Sequence, residues 1–279
     1  MLTKAIFAIT ALLAGASILA GCGRAPSSSP ETEGRTLVLT GSSTVAPLVQ
    51  EIGQRFEATH PRIRVDVQTG GSSRGIADSR TGTADIGMVS RALKADETDL
   101  TAHTIALDGI CVIMHATNPI EALSDNQVRS IYRGETTRWS ELGGSDSPIT
   151  VVNKAEGRST LELFLAYYGL KSDVIQAYIV ICDNDKGIKT VSSNPDAIGY
   201  VSIGAAEFAV LDGIAIKLLP LGGVAPATEN LKNGTYPLSR PLNLVTKGTP
   251  DAAAHQLIEF AQSSAVNDLI TGLYYVPLQ

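Results

Sequence analysis

Leu37-Val38-Leu39-Thr40-Gly41-Ser42-Ser43-Thr44-Val45-Ala46-Pro47-Leu48 reads as an apolar strand, a hydroxyl-rich loop and the first turn of a helix. Leu48, Val49, Ile52 and Phe56 recur at helical spacing, which predicts a helix from Pro47 to Thr59. Pro47 suits a first turn, where its missing N–H would be unbonded anyway. Ser43 and Thr44 stand just before it, where hydroxyls cap free N–H groups. Free N–H groups, two hydroxyls and the positive end of a helix dipole together make a seat for an anion. An ordinary helix cap explains this loop equally well when it is taken alone.

Working outward, similar loops recur. Arg62 to Val67 alternates like a strand and runs into Thr69-Gly70-Gly71-Ser72-Ser73-Arg74-Gly75, with a helix expected from Gly75 to Thr81. Ala84-Asp85-Ile86-Gly87-Met88-Val89 is a further short strand, ending in Ser90-Arg91. Strands alternating with helices imply a mainly parallel α/β sheet, with ligands at the carboxyl ends of the strands. The strand Ile149 to Val152 leads to a fourth such loop, Asn153-Lys154-Ala155-Glu156-Gly157-Arg158-Ser159-Thr160, and a helix from Leu161 to Tyr168. Thr104 to Met114 and Tyr236 to Thr246 read as segments passing into and back from a second domain. Gly222 to Asn233 reads as loop, and Ala252 to Ser263 as a closing helix. Asp85, Asp108 and Trp139 read as structural.

The N-terminus has a different character. Lys4 is followed by an apolar run to Ala20, the pattern of an export signal. The run is shorter than the ~20 residues a membrane span needs. It ends in Leu19-Ala20-Gly21-Cys22, which resembles the bacterial lipobox and implies cleavage before Cys22 and lipid on its sulfur. Gly23 to Gly34, rich in Ser, Pro and Gly, reads as a tether. The expected organisation is therefore 1–21 signal peptide, 22–35 lipid-anchored tether, 36–112 with 238–279 as lobe I, and 113–237 as lobe II. The chain of 279 residues carries a formal charge of −6, which argues against a nucleic-acid partner. His60, His103, His115 and His255 are scattered singly and show no metal-ligand spacing, so neither a metal nor a cofactor is expected. Export would permit Cys111 and Cys182 to pair, but their spacing leaves disulfide and free thiols both open.

Taken in order, Gly41 to Leu48, Gly70 to Gly75, Thr83 to Arg91, Leu107-Asp108-Gly109, Ala197-Ile198-Gly199-Tyr200-Val201 and Tyr236 to Leu242 resemble the phosphate-binding proteins of bacterial phosphate ABC transporters. These are PstS-type members of the type II periplasmic binding proteins. The resemblance covers Thr36 to Leu278. It implies two α/β lobes with a ligand cleft between them, two crossover strands, and closure on an anion without catalysis. The implied partners are inorganic phosphate or a related oxyanion, a transporter permease, and the envelope membrane through lipid on Cys22, with the protein a monomer.

Carried over by position, Ser43, Thr44 and the Val45 N–H hold ligand oxygens in the first loop, and Ser72 and Ser73 in the second. Ser90 stands where a branch of the family has an Asp that accepts the proton of hydrogen phosphate. Ser159 and Thr160 match the hydroxyl-bearing helix start of lobe II. Where the family has an Arg this chain has Lys154, and Arg158 enters the following motif, so Arg158 is expected to be the main cation with Lys154 assisting. These departures leave sulfate, molybdate, a phosphonate, or a non-transport sensor role as alternatives. Gly71-Ser72-Ser73-Arg74-Gly75 also fits the G-x-S-x-G elbow of serine hydrolases, which makes a remote enzymatic alternative.

Overall fold

The computed structural model describes residues 34–278, so the signal peptide, Cys22 and most of the tether lie outside the described residues. Residues from Gly34 onward form a single compact unit. Three parallel strands open it: β1 (Arg35–Gly41), β2 (Ile63–Thr69) and β3 (Ile86–Val89), with β1 between the other two. Helices α1 (Ala46–Thr59) and α2 (Ser72–Thr81) connect them. The chain then enters β4 (Leu100–His115), a strand of 16 residues that reaches from one lobe into the other. Lobe II follows with α3 (Asp125–Tyr132), β5 (Thr150–Lys154), α4 (Ser159–Tyr168), β6 (Ile179–Ile181), α5 (Asn184–Ser192), β7 (Ala197–Ser202), α6 (Ile203–Leu211), β8 (Ile216–Leu218) and α7 (Thr228–Lys232). Strand β9 (Ser239–Lys247) returns antiparallel to β4, and α8 (Ala252–Ala261), α9 (Asn267–Gly272) and β10 (Val276–Pro277) close the chain.

The sheet order β2-β1-β3-β9-β4-β7-β5-β6 puts β4 and β9 at its centre as the two crossover strands. The apolar residues divide into two main cores. One contains Leu37, Leu39, Leu48, Ile52, Phe56, Ile105, Ala106 and Leu242. The other begins at Ile110 on β4 and includes Tyr132, Trp139, Phe164, Tyr200 and Leu238. The cores part along β4 between Ala106 and Ile110.

The differences from expectation are local. Helix α2 starts three residues before Gly75, because Gly71 takes φ +95° and lets the helix begin at Ser72. A Cβ on Gly71 would meet the Gly157 carbonyl oxygen at 2.6 Å, so only glycine fits this approach of the two lobes. The short helix α7 lies inside the segment read as loop. Cys111 and Cys182 are both free thiols, the first buried and the second exposed. Ser124 caps α3 in a reciprocal capping box with Gln127, as its position before the apolar stripe implies.

Candidate functional site

The carboxyl ends of β1, β2, β3 and β5 converge on a small pocket of about 10 Å³. Its lining is Ser42, Ser43, Thr44, Gly71, Ser72, Ser90, Arg158, Ser159 and Thr160. Other, larger depressions lie elsewhere. One, lined by Leu107, Thr228 and Tyr275 among others, is mainly apolar and holds none of the loop residues singled out above.

On the lobe I side, the hydroxyls of Ser42, Thr44, Ser72 and Ser90 are fixed from behind. Val45, rather than Ser43 or Thr44, occupies the N-cap position of α1, and no side chain caps it in the usual way. Ser42 Oγ instead accepts from the N–H groups of Thr44 at 3.2 Å and Val45 at 3.4 Å. The Val45 N–H is therefore already directed at Ser42, and the fully buried Val45 side chain belongs to the lobe I core. Ser42 Oγ donates to Ser90 Oγ at 3.0 Å, and the Ser90 N–H donates to Ser72 Oγ at 3.2 Å. Tyr275 Oη donates to the Thr44 carbonyl at 2.9 Å and ties the first loop to the C-terminal segment. Ser73 turns away: it is exposed, its N–H donates to Gly157 O at 3.2 Å, and its hydroxyl lies 3.5 Å from Glu162 Oε1.

On the lobe II side, α4 is held by aromatic packing. Phe164 stacks on Tyr200 with centroids 3.8 Å apart, and Tyr132 packs at 4.7 Å. The Tyr200 hydroxyl donates to Asn153 Oδ1 at 2.6 Å, which joins α4, β5 and β7 into one rigid block. That block presents Ser159 and Thr160 on the first turn of α4. Ser159 is only 2 % exposed, yet its Oγ has no hydrogen-bond partner, and neither has the buried Nε of Arg158. Buried polar atoms without partners are costly, and few occur in native proteins. Two of them converging on one pocket mark a place where a ligand supplies the missing partners. Among the described residues Arg158 has no carboxylate partner, so its charge is uncompensated at the rim.

The cation that sequence reasoning missed is Arg240 on β9. It is 2 % exposed and lies behind the hydroxyl wall, with Nε and Nη2 donating to Asp108 Oδ2 at 3.1 and 2.8 Å. The same guanidinium donates to Thr160 Oγ1 at 2.9 Å, Thr44 Oγ1 at 3.3 Å and Ser90 Oγ at 3.4 Å. Asp108, read from sequence as structural, is wholly buried and also accepts from Ser202 Oγ at 3.0 Å. The signal available was Ser239-Arg240-Pro241 within a segment read as a returning strand, since a charge there must be paired or facing a site. Lys154 is also buried, but it points away from the pocket lining. Its Nζ donates to Asp183 O at 2.7 Å and Asn184 Oδ1 at 3.1 Å, and Asn184 Nδ2 in turn donates to Thr44 Oγ1 at 3.2 Å. Burial above all, and then the Arg240 guanidinium, push its ammonium down to about 7.

Charges also join the lobes beside the pocket. Glu162 Oε2 lies 2.8 Å from Lys94 Nζ and 3.1 Å from Arg91 Nε. The Arg91 contact attracts by charge without the alignment of a hydrogen bond. Arg91 follows Ser90 directly and is held by Glu97 at 2.7 Å, whose carboxyl it keeps below the usual range. The histidines are engaged elsewhere: His103 with Thr246, His115 with Thr117 and His255 with Glu259. None of them meets Ser73, so the G-x-S-x-G match lacks the histidine that a hydrolase elbow requires.

A sequence model described as a PBP superfamily domain matches residues 26–265. The PstS phosphate-binding protein of Bacillus subtilis strain 168 is 26% identical over 275 residues, covering 94% of this chain and 90% of that one. An ABC-type phosphate transport receptor from Vibrio cholerae superposes with a TM-score of 0.73 at 30% identity, covering 87% of this chain and 100% of the other. A substrate-binding protein assigned to a phosphate ABC transporter in Clostridium perfringens, solved with bound phosphate, gives a TM-score of 0.81 at 29% identity over 88% of this chain and 100% of that one. These proteins are transport receptors rather than enzymes. Fold, crossover strands and relatives agree that the chain belongs to the PstS-type proteins of the type II periplasmic binding protein superfamily.

Proposed function

We propose that this protein captures inorganic phosphate in the cleft and delivers it to an ABC importer. The observation that carries the reading is the pair of buried, unpartnered polar atoms, Arg158 Nε and Ser159 Oγ, facing the hydroxyls of Thr44, Ser72 and Ser90 across one pocket. An anion entering that pocket meets hydroxyl hydrogens, the N-terminus of α4 and one uncompensated guanidinium, out of reach of bulk water. The names of the relatives, phosphate-binding proteins and phosphate transport receptors, support phosphate among the oxyanions. Closure of lobe II about β4 and β9 traps the anion, with the Glu162 contacts to Arg91 and Lys94 formed only in the closed form. The closed protein, a monomer, then offers both lobes to the permease. Lipid on Cys22 keeps it at the envelope membrane, on a periplasmic or extracellular face.

Calorimetric titration of anion-stripped protein with phosphate, sulfate and molybdate tests the ligand. Tight binding of phosphate over the other two is the expected result, and binding of none of them refutes the reading. Scattering should show the protein contracting when phosphate is added. Cys22→Ser should release the protein from membranes, and a variant that stays bound would refute the lipid anchor.

A further inference from the structure

A hydroxyl oxygen accepts about two hydrogen bonds and donates one, so the bonds behind the pocket determine what each hydroxyl has left for a ligand. Thr44 Oγ1 already accepts from Asn184 Nδ2 and Arg240 Nη2. Both of its lone pairs are occupied, and only its hydrogen is free. Ser42 Oγ accepts two backbone N–H groups, so its hydrogen goes to Ser90 Oγ. Ser90 Oγ accepts that hydrogen and one from Arg240 Nη1, so it too retains only a hydrogen to give. An arginine side chain has no acceptor at all. The wall around Thr44, Ser90 and Arg158 is therefore built of donors.

A donor-only wall suits an anion that carries no hydrogen, such as sulfate. Hydrogen phosphate has one oxygen that bears a hydrogen, and that hydrogen needs an acceptor once it is out of water. Ser90 also lines the pocket, but its lone pairs are filled. Ser72 and Thr160 have each accepted one bond from behind and keep one lone pair. Ser159 Oγ differs from all of them: it is buried, lines the pocket, and has both lone pairs open.

We propose that Ser159, the buried hydroxyl with both lone pairs open, accepts the hydrogen of a protonated tetrahedral oxyanion, and so favours hydrogen phosphate at a site whose wall around Thr44, Ser90 and Arg158 is built of donors. This rests on reading the pocket as an anion site, and the two can fail separately. The experiment is a pair of calorimetric titrations at neutral pH, phosphate and sulfate, into wild-type, Ser159→Ala, Ser159→Thr and Ser90→Ala protein. Thermal melting of each variant serves as the folding control. Ser159→Ala should weaken phosphate about ten-fold more than sulfate, a difference of about 1.4 kcal/mol. Ser159→Thr, which keeps the hydroxyl, should keep the wild-type ratio of the two affinities. Ser90→Ala should weaken both anions by similar factors, since it removes only a donor. Equal losses for both anions in Ser159→Ala, or no loss, would overturn the role of Ser159. Wild-type protein that binds sulfate and not phosphate would also overturn it, while leaving the anion site standing. Wild-type protein that binds neither anion would instead refute the anion site itself.

Discussion

The two walls of the cleft carry the same residue types and are organised in opposite ways. On the lobe I side, Ser42, Thr44, Ser72 and Ser90 are bonded to one another, to backbone and to Arg240 before any ligand arrives. On the lobe II side, Arg158 Nε and Ser159 Oγ are buried with nothing to bond. Lobe I is thus organised during folding, while part of lobe II is completed by the ligand. A site preorganised on one wall loses little entropy on binding, and an unsatisfied opposite wall makes closure without ligand unfavourable. That division predicts that changes in the first wall's support damage the fold, while changes in the second damage binding alone.

Arg240→Met should have the largest effect. It leaves Asp108 buried and charged with no cation beside it, and breaking a buried pair costs about 3–5 kcal/mol. The expected result is a large fall in melting temperature together with loss of anion binding. Adding Asp108→Asn should restore much of the stability and none of the binding. A single variant that melts like wild type would show that the pair does not support the wall. Arg158→Ala should do the reverse. Melting of the empty protein should be unchanged, while phosphate affinity falls by ten-fold or more, since a charge-assisted hydrogen bond contributes about 1.5–3 kcal/mol. It should also cost more than Lys154→Ala, and the opposite order would move the main cation to Lys154.

Glu162→Gln should have a smaller effect and a different signature. Glu162 touches no ligand, and its partners Arg91 and Lys94 sit on the other lobe, so the change weakens closure rather than contact. Such partly exposed pairs contribute about 0.2–1 kcal/mol. Affinity should fall a few-fold for phosphate and sulfate alike, and binding should become less sensitive to salt than in wild type. An unchanged salt dependence would show that these contacts do not report closure.

The legibility of this arrangement in the sequence follows range. The strand–loop–helix units containing Thr44, Ser72 and Thr160 are local, and the pocket receives all three. Ser73 lies one residue along the same helix turn and misses the pocket, because Ser72 and Ser73 face different sides of α2. Arg240 was not legible as part of the site, because its partner Asp108 and the hydroxyls it supports come from four separate elements and loops. Asn184 was missed for the same reason: nothing in Asp183-Asn184-Asp185 indicates that α5 brings its first residue against Thr44. Local pattern specifies which loops hold hydroxyls. Which way each hydroxyl bonds is set by residues distant in the chain.

The smallest effect concerns Lys154, which joins the two walls through Asn184 and Thr44. In the empty protein its ammonium is held at about 7, chiefly by burial and next by Arg240, with Asp183 opposing, Arg158 adding and Asp185 opposing more weakly. The unfolded chain keeps the ordinary value near 10.5. Between those values the unfolded state binds the extra proton, so the stability of the empty protein should rise with pH across that window. An anion in the pocket favours the charged ammonium and raises its bound-state value above 7. Its contribution to affinity is then complete below pH 7 and is lost as pH rises through the bound-state value. Above pH 7 binding should take up a proton, visible as a dependence of the titration heat on the ionisation heat of the buffer. Sulfate, which has no hydrogen to lose in this range, isolates the protein's share. Wild type should bind it progressively more weakly from about pH 6 to about pH 9, while Lys154→Met stays flat and takes up no proton. Parallel profiles for the two proteins would mean that the bonds through Asn184 position Thr44 without carrying charge to the ligand.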